Sequence, residues 1–103
     1  MPPGANGDYP FRLDFSGGIA KRLRQLQRRA SRQGRGGEFL EAFRKVVEQL
    51  RQRPFEFGEP LYRLPALRLL ICCAVVGPFG IDFAISEDHP VVFIRSVRLL
   101  TTK

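Results

Sequence analysis

A chain of 103 residues with a hydrophobic fraction of 44% and nine Phe holds enough apolar mass for one packed domain and too little length for two. Its 17 Lys and Arg against 10 Asp and Glu leave a formal charge of +7, which suits nucleic acid, ribosomes, an anionic membrane or an acidic protein as partner. The two cysteines, adjacent at Cys72 and Cys73, offer no CxxC and no Cys/His spacing suited to zinc, so neither a metal nor a cofactor is expected.

Residues 1–8, rich in Pro, Gly, Asn and Asp, read as a flexible leader ahead of a single domain over residues 9–103. The leader lacks the basic and apolar regions of a secretion signal. The longest apolar run, Leu69 to Val76, falls short of the roughly 18 to 20 residues that span a bilayer. The expectation is a cytoplasmic protein, away from the membrane, with both cysteines serving as small apolar residues. Phe11, Leu13 and Phe15 alternate with Arg12 and Asp14, a period of two that predicts a strand with its aromatic face on the core.

Ser16 is placed to cap a helix in which Ile19, Leu23, Leu26 and Ala30 lie within about 40° of one another. Lys21, Arg24, Arg28 and Arg32 fall on the opposite side, with Arg22 and Arg29 on a flank. Gly34, Gly36 and Gly37 end it. A second helix is predicted from Glu38, with Phe39, Leu40, Phe43, Val46, Val47 and Leu50 as its apolar face and Pro54 as its stop. Residues 54–66 read as a loop. Three strands follow, Leu67 to Val76, Phe79 to Ile85 and Val91 to Val97, joined by short turns at Gly77-Pro78 and at residues 86–90 as an antiparallel meander. The order β-α-α-β-β-β makes an α+β domain, a helical hairpin packed on a small antiparallel sheet.

Three stretches in that order carry a family likeness. They are Leu50-Arg51-Gln52-Arg53-Pro54 at the close of the helix pair, Gly58-Glu59-Pro60-Leu61-Tyr62-Arg63-Leu64 leading into the meander, and Glu87 through Val97 as an acidic turn and final hydrophobic strand. From about Tyr9 to Leu100 the chain resembles the RelE/ParE toxins of bacterial type II toxin–antitoxin systems. The resemblance implies a small toxin neutralised by a cognate antitoxin. Such a toxin acts either on messenger RNA at the ribosome or on DNA gyrase, and fold alone does not decide between them.

RNA cleavage needs a group to activate the 2′-hydroxyl, cations to hold the phosphorane, and a proton donor for the leaving oxygen. The ribonuclease members carry an Arg on the middle meander strand and a Tyr or His after the last strand. Here those stretches read Phe79-Gly80-Ile81-Asp82 and Arg98-Leu99-Leu100-Thr101-Thr102-Lys103. What remains is Arg68 on the first meander strand, the one catalytic candidate, with Arg63 in the loop before it and Arg95, Arg98 and Lys103 near the C-terminus. Arginine stays protonated, so these residues bind phosphate without shuttling protons. Asp82 either orients Arg68 or Arg95 or simply faces solvent, and the lone His89 in its turn reads as polar surface.

The electrostatic signal is stronger. Residues 16–37 contain seven Lys and Arg and no acid. A basic helix face often serves only solubility, but here no acidic partner tempers it. No aromatic is interleaved there to stack on bases. The expected target-binding set is Lys21, Arg24, Arg28, Arg32, Arg63, Arg68, Arg95 and Arg98. The alternatives to a toxin are a basic nucleic-acid-binding module of the same fold without toxicity and a diverged ribosome-dependent endoribonuclease.

Overall fold

The computed structural model describes residues 10–15, 17–77 and 79–100. The elements are β1 (Arg12–Phe15), α1 (Gly17–Arg32), α2 (Gly36–Gln52), a 3-10 turn (Pro54–Glu56), β2 (Glu59–Leu64), a second 3-10 turn (Pro65–Leu67), β3 (Leu69–Val76), β4 (Phe79–Ser86) and β5 (Val91–Leu99). They form an α+β architecture, two helices on a five-stranded sheet of order β1-β5-β4-β3-β2. β1 runs parallel to β5, with Arg12 opposite Val91 and Phe15 opposite Ile94, and every other pairing is antiparallel.

The core lies between the helices and one face of the sheet. Alternation in β4 sends Phe79, Ile81, Phe83 and Ile85 to that face, where Cys72 and Ala74 of β3 and Val92, Ile94 and Val97 of β5 join them. From above, α1 contributes Ile19, Leu26 and Ala30, while α2 contributes Phe39, Ala42, Val46 and Leu50. Phe39 and Phe43 both tilt against Phe79, with ring centroids 4.6 and 6.1 Å away, and Phe57 stacks on Phe83 at 5.9 Å. Helix α1 ends in a Schellman motif: Arg35 N–H reaches the Ala30 carbonyl at 2.7 Å and Gly34 N–H that of Ser31 at 3.0 Å. Gly34 takes the left-handed φ of +74° that this closure demands.

The expected four-strand antiparallel sheet is corrected in two ways. Residues 59–64, read as loop, form the edge strand β2, antiparallel to β3. Pro60 and Pro65 masked it, but an edge strand tolerates proline because its outer N–H groups have no ladder partner to lose. Leu61 is skipped in the register, a bulge that blunts this edge further. Gly58 admits no side chain at the strand's entry: its φ is +75°, and a Cβ there would run into the Cys73 carbonyl oxygen. The parallel β1–β5 pairing makes the sheet mixed. It joins segments nearly a chain length apart, which turn lengths and periodicity cannot report.

Smaller corrections concern boundaries and exposure. Helix α2 starts at Gly36, and Leu40 on its predicted apolar face is 45% exposed. Of the predicted β1 face, Phe11 and Leu13 pack on the core, whereas Phe15 is 37% exposed and tilts on Phe43. The leader over residues 1–8, the Ser16 cap, Pro78 and residues 101–103 lie outside the described residues.

Candidate functional site

Because Ile19, Leu26 and Ala30 are anchored in the core, the far side of α1 is turned to solvent, and Lys21, Arg24, Arg28 and Arg32 are all exposed. Among the described residues no carboxylate lies within ion-pair distance of any of them, nor of exposed Arg29. The sequence explains this, since α1 has no acid of its own at i±3 or i±4. Helix α2 differs: it carries acids among its bases, and Glu38 in its first turn pairs with Arg35 at 3.3 Å. Arg22, on the flank of α1, turns inward and donates from Nε to the Val97 carbonyl oxygen of β5 at 3.4 Å. This bond seats the helix against the sheet.

The sheet arginines are held by carboxylates of the same chain. Asp82, for which pairing with Arg68 or Arg95 and simple solvent exposure were both open, pairs with Arg98 instead: Arg98 Nη1 donates to Asp82 Oδ2 at 3.1 Å, and Ser96 Oγ donates to the same oxygen at 2.8 Å. Gly80 makes the arrangement possible, because a Cβ at that position would stand 2.8 Å from Arg98 Nη2. The guanidinium of β5 therefore lies across the middle strand where a side chain would otherwise project. Arg95 has no partner opposite it in β4, since the register passes from Asp82–Ser96 to Phe83–Ile94, and its side chain is exposed in that bulge.

At the opposite end of the sheet, Arg63 Nε donates to Glu87 Oε2 at 2.7 Å and Arg68 Nη1 to Asp88 Oδ1 at 3.2 Å. Arg68 is not on a strand. It ends the Pro65–Leu67 turn in left-handed conformation with φ of +53°, uncommon for a residue with a side chain, and β3 starts after it. Its carbonyl accepts the Glu87 N–H at 2.9 Å. Ser86, one of the few buried polar residues, accepts the N–H groups of Asp88 and His89 on its Oγ at 3.2 and 3.0 Å. The acidic turn is thus fixed at its backbone. Its side-chain pairs are largely solvated, the kind that contribute only about 0.2–1 kcal/mol each.

The eight expected binding residues therefore do not converge. Four share the solvent face of α1, Arg95 and Arg98 sit on β5, and Arg63 and Arg68 occupy the far corner. Sequence reading missed Glu87, Asp88 and Ser86 as partners. Two acids in a turn, with two arginines five apart upstream, were the available signal, but it needed β2 to be recognised first.

Cys72 and Cys73 point to opposite faces, as strand alternation requires: Cys72 belongs to the core, while Cys73 stands opposite Asp82 on the helix-free face. Burial first, then the neighbouring Cys73, push the Cys72 thiol above its ordinary range, so it is a poor source of thiolate. Among the described residues there is no group of three or more His, Cys, Asp or Glu able to hold a metal ion. No described helix is long and apolar enough to cross a membrane. The chain matches no protein-family model and shows no significant similarity to a curated protein.

Proposed function

We propose that the chain is a RelE/ParE-like toxin component, a basic protein that inhibits growth by binding a translation or DNA-topology target and is neutralised by a cognate antitoxin. The observation that supports this reading is the solvent face of α1. Five exposed cations stand there without a carboxylate among the described residues, so the face meets a polyanion at no cost in broken ion pairs. With no aromatic on α1, contact through phosphates is favoured over base stacking. Arg68, the catalytic candidate, is engaged by Asp88, and the arginines of the set supply no proton shuttle, so the reading is of a binder ahead of an endoribonuclease.

The test is induction of the chain in a bacterial host with pulse-labelled methionine and thymidine. An early fall in methionine incorporation identifies a ribosome-directed toxin, and an early fall in thymidine a gyrase-directed one. The fall should disappear in the K21E/R24E/R28E/R32E variant. Level incorporation of both, with folded protein accumulating, rejects toxicity and leaves a basic nucleic-acid-binding module of the same fold.

A further inference from the structure

We infer that Arg63 and Arg68 form a second anion site, for the phosphodiester backbone of a nucleic acid, and that the acidic turn Glu87-Asp88 is its built-in, displaceable occupant. Two neighbouring carboxylates in one turn reach two arginines presented by a single β2–β3 corner, one each, across 24 and 20 residues of sequence. Each carboxylate occupies the N–H donors of one arginine, and guanidinium recognises carboxylate and phosphate through those same donors.

The backbone fixes Arg68 without help from the Glu87 and Asp88 carboxylates. Arg68 is held in its left-handed conformation by its own N–H to the Pro65 carbonyl at 3.1 Å and by its carbonyl to the Glu87 N–H at 2.9 Å. A non-glycine residue kept in that region by surrounding bonds marks a side chain whose direction is being set. The turn is likewise anchored through Ser86 Oγ and not through its acids. Swinging the Glu87 and Asp88 side chains away therefore leaves both loops in place. The Arg63 and Arg68 side chains are 60% and 67% exposed, so an incoming polyanion reaches them from solvent and competes with weak, solvated pairs.

The device limits binding at this corner until a ligand of sufficient charge density arrives. A lone phosphate exchanges one solvated pair for another, whereas a strand of linked phosphates engages both arginines together and gains from the linkage. The inference is separate from the α1 reading, because charge changes at the two places act on different residues.

The experiment measures fluorescence anisotropy of a short labelled oligouridylate on the full chain and on E87Q/D88N. The paired substitution is expected to tighten binding about tenfold, the combined release of two such pairs. The control is E41Q/E48Q, which changes net charge equally on α2 and should tighten binding less than about threefold by charge alone. Adding R63Q/R68Q to E87Q/D88N should abolish the gain. Equal tightening in E41Q/E48Q, or a gain that survives R63Q/R68Q, overturns the proposal. Should an amide variant fold poorly, the unsubstituted chain still decides: tripolyphosphate must shift the Arg63 Nε–H resonance and the Glu87 and Asp88 amides together, and stationary signals there overturn it.

Discussion

Helix α1 and the β2–β3 corner carry the same cation in opposite circumstances. On α1 the guanidinium and ammonium groups stand in water without a carboxylate among the described residues, while at the corner Arg63 and Arg68 each hold one. The difference is topological. A helix that lacks acid at i±3 and i±4 can be neutralised only by another element, and α1 turns its charged side away from every element it packs on. The corner faces a turn that arrives from the other end of the meander already bearing two acids. A formal charge of +7 is thus concentrated where the chain has no internal answer to it, and a sum over the sequence conceals that.

The largest expected effect separates the two sides of α1 itself. Leu26→Ala, at a side chain only 1% exposed, should lower stability by about 2–5 kcal/mol in urea unfolding. Arg28→Ala on the solvent side should stay within about 0.5 kcal/mol. Comparable losses would make the charged face structural and dissolve the contrast.

Next in size is binding. Reversing Lys21, Arg24, Arg28 and Arg32 to Glu should weaken duplex binding at least about tenfold at moderate salt, and should flatten the log-affinity against log-salt slope by roughly 3. An unchanged slope would move the polyanion surface off α1.

Gly80→Ala tests whether a paired arginine is seated or merely adjacent. The added methyl meets the Arg98 guanidinium, the mobile end of a side chain that is 48% exposed, so displacing it should cost no more than about 1 kcal/mol in thermal or urea unfolding, the worth of the solvated pair it breaks. In an Asp82→Asn background, where Arg98 is no longer held, the same substitution should cost less. Additive losses would show that Arg98 is not fixed by Asp82.

The smallest effect is a pH dependence with one sign. Burial raises the Cys72 thiol in the folded chain, so above roughly pH 8.5 the unfolded chain binds fewer protons than the folded one. This contribution to stability is full below that pH and is lost as pH rises toward the folded value. Replacing Cys72 with Ala should remove that part of the alkaline decline, and a decline unchanged in C72A would assign it to other groups.

Much of the fold was legible from period alone. The four apolar residues of α1, the alternation of Phe79, Ile81, Phe83 and Ile85, and the turn before Val91 all occur where spacing puts them. β2 was not legible, because its identity comes from pairing with β3 while its own residues, Pro60 and exposed Leu61, Tyr62 and Arg63, show neither a buried face nor alternation. The candidate site divided the same way. The α1 cations were read correctly as one face, since helix geometry is local. The partners of Arg63, Arg68 and Asp82 were not, since each is brought by a strand register or a distant turn that composition does not encode.

The parallel contact between β1 and β5 also sets an order of assembly. Its two strands lie near opposite ends of the described chain, so the entropy of closing that long loop must be met before the pairing adds stability, and β1 is expected to dock late. Until β5 has been synthesised, β4 keeps an unpaired edge and β1 lacks the one strand it pairs with. A nascent or C-terminally clipped chain is therefore the species most prone to aggregate, and it is one in which α1 has lost the Val97 carbonyl that Arg22 grips.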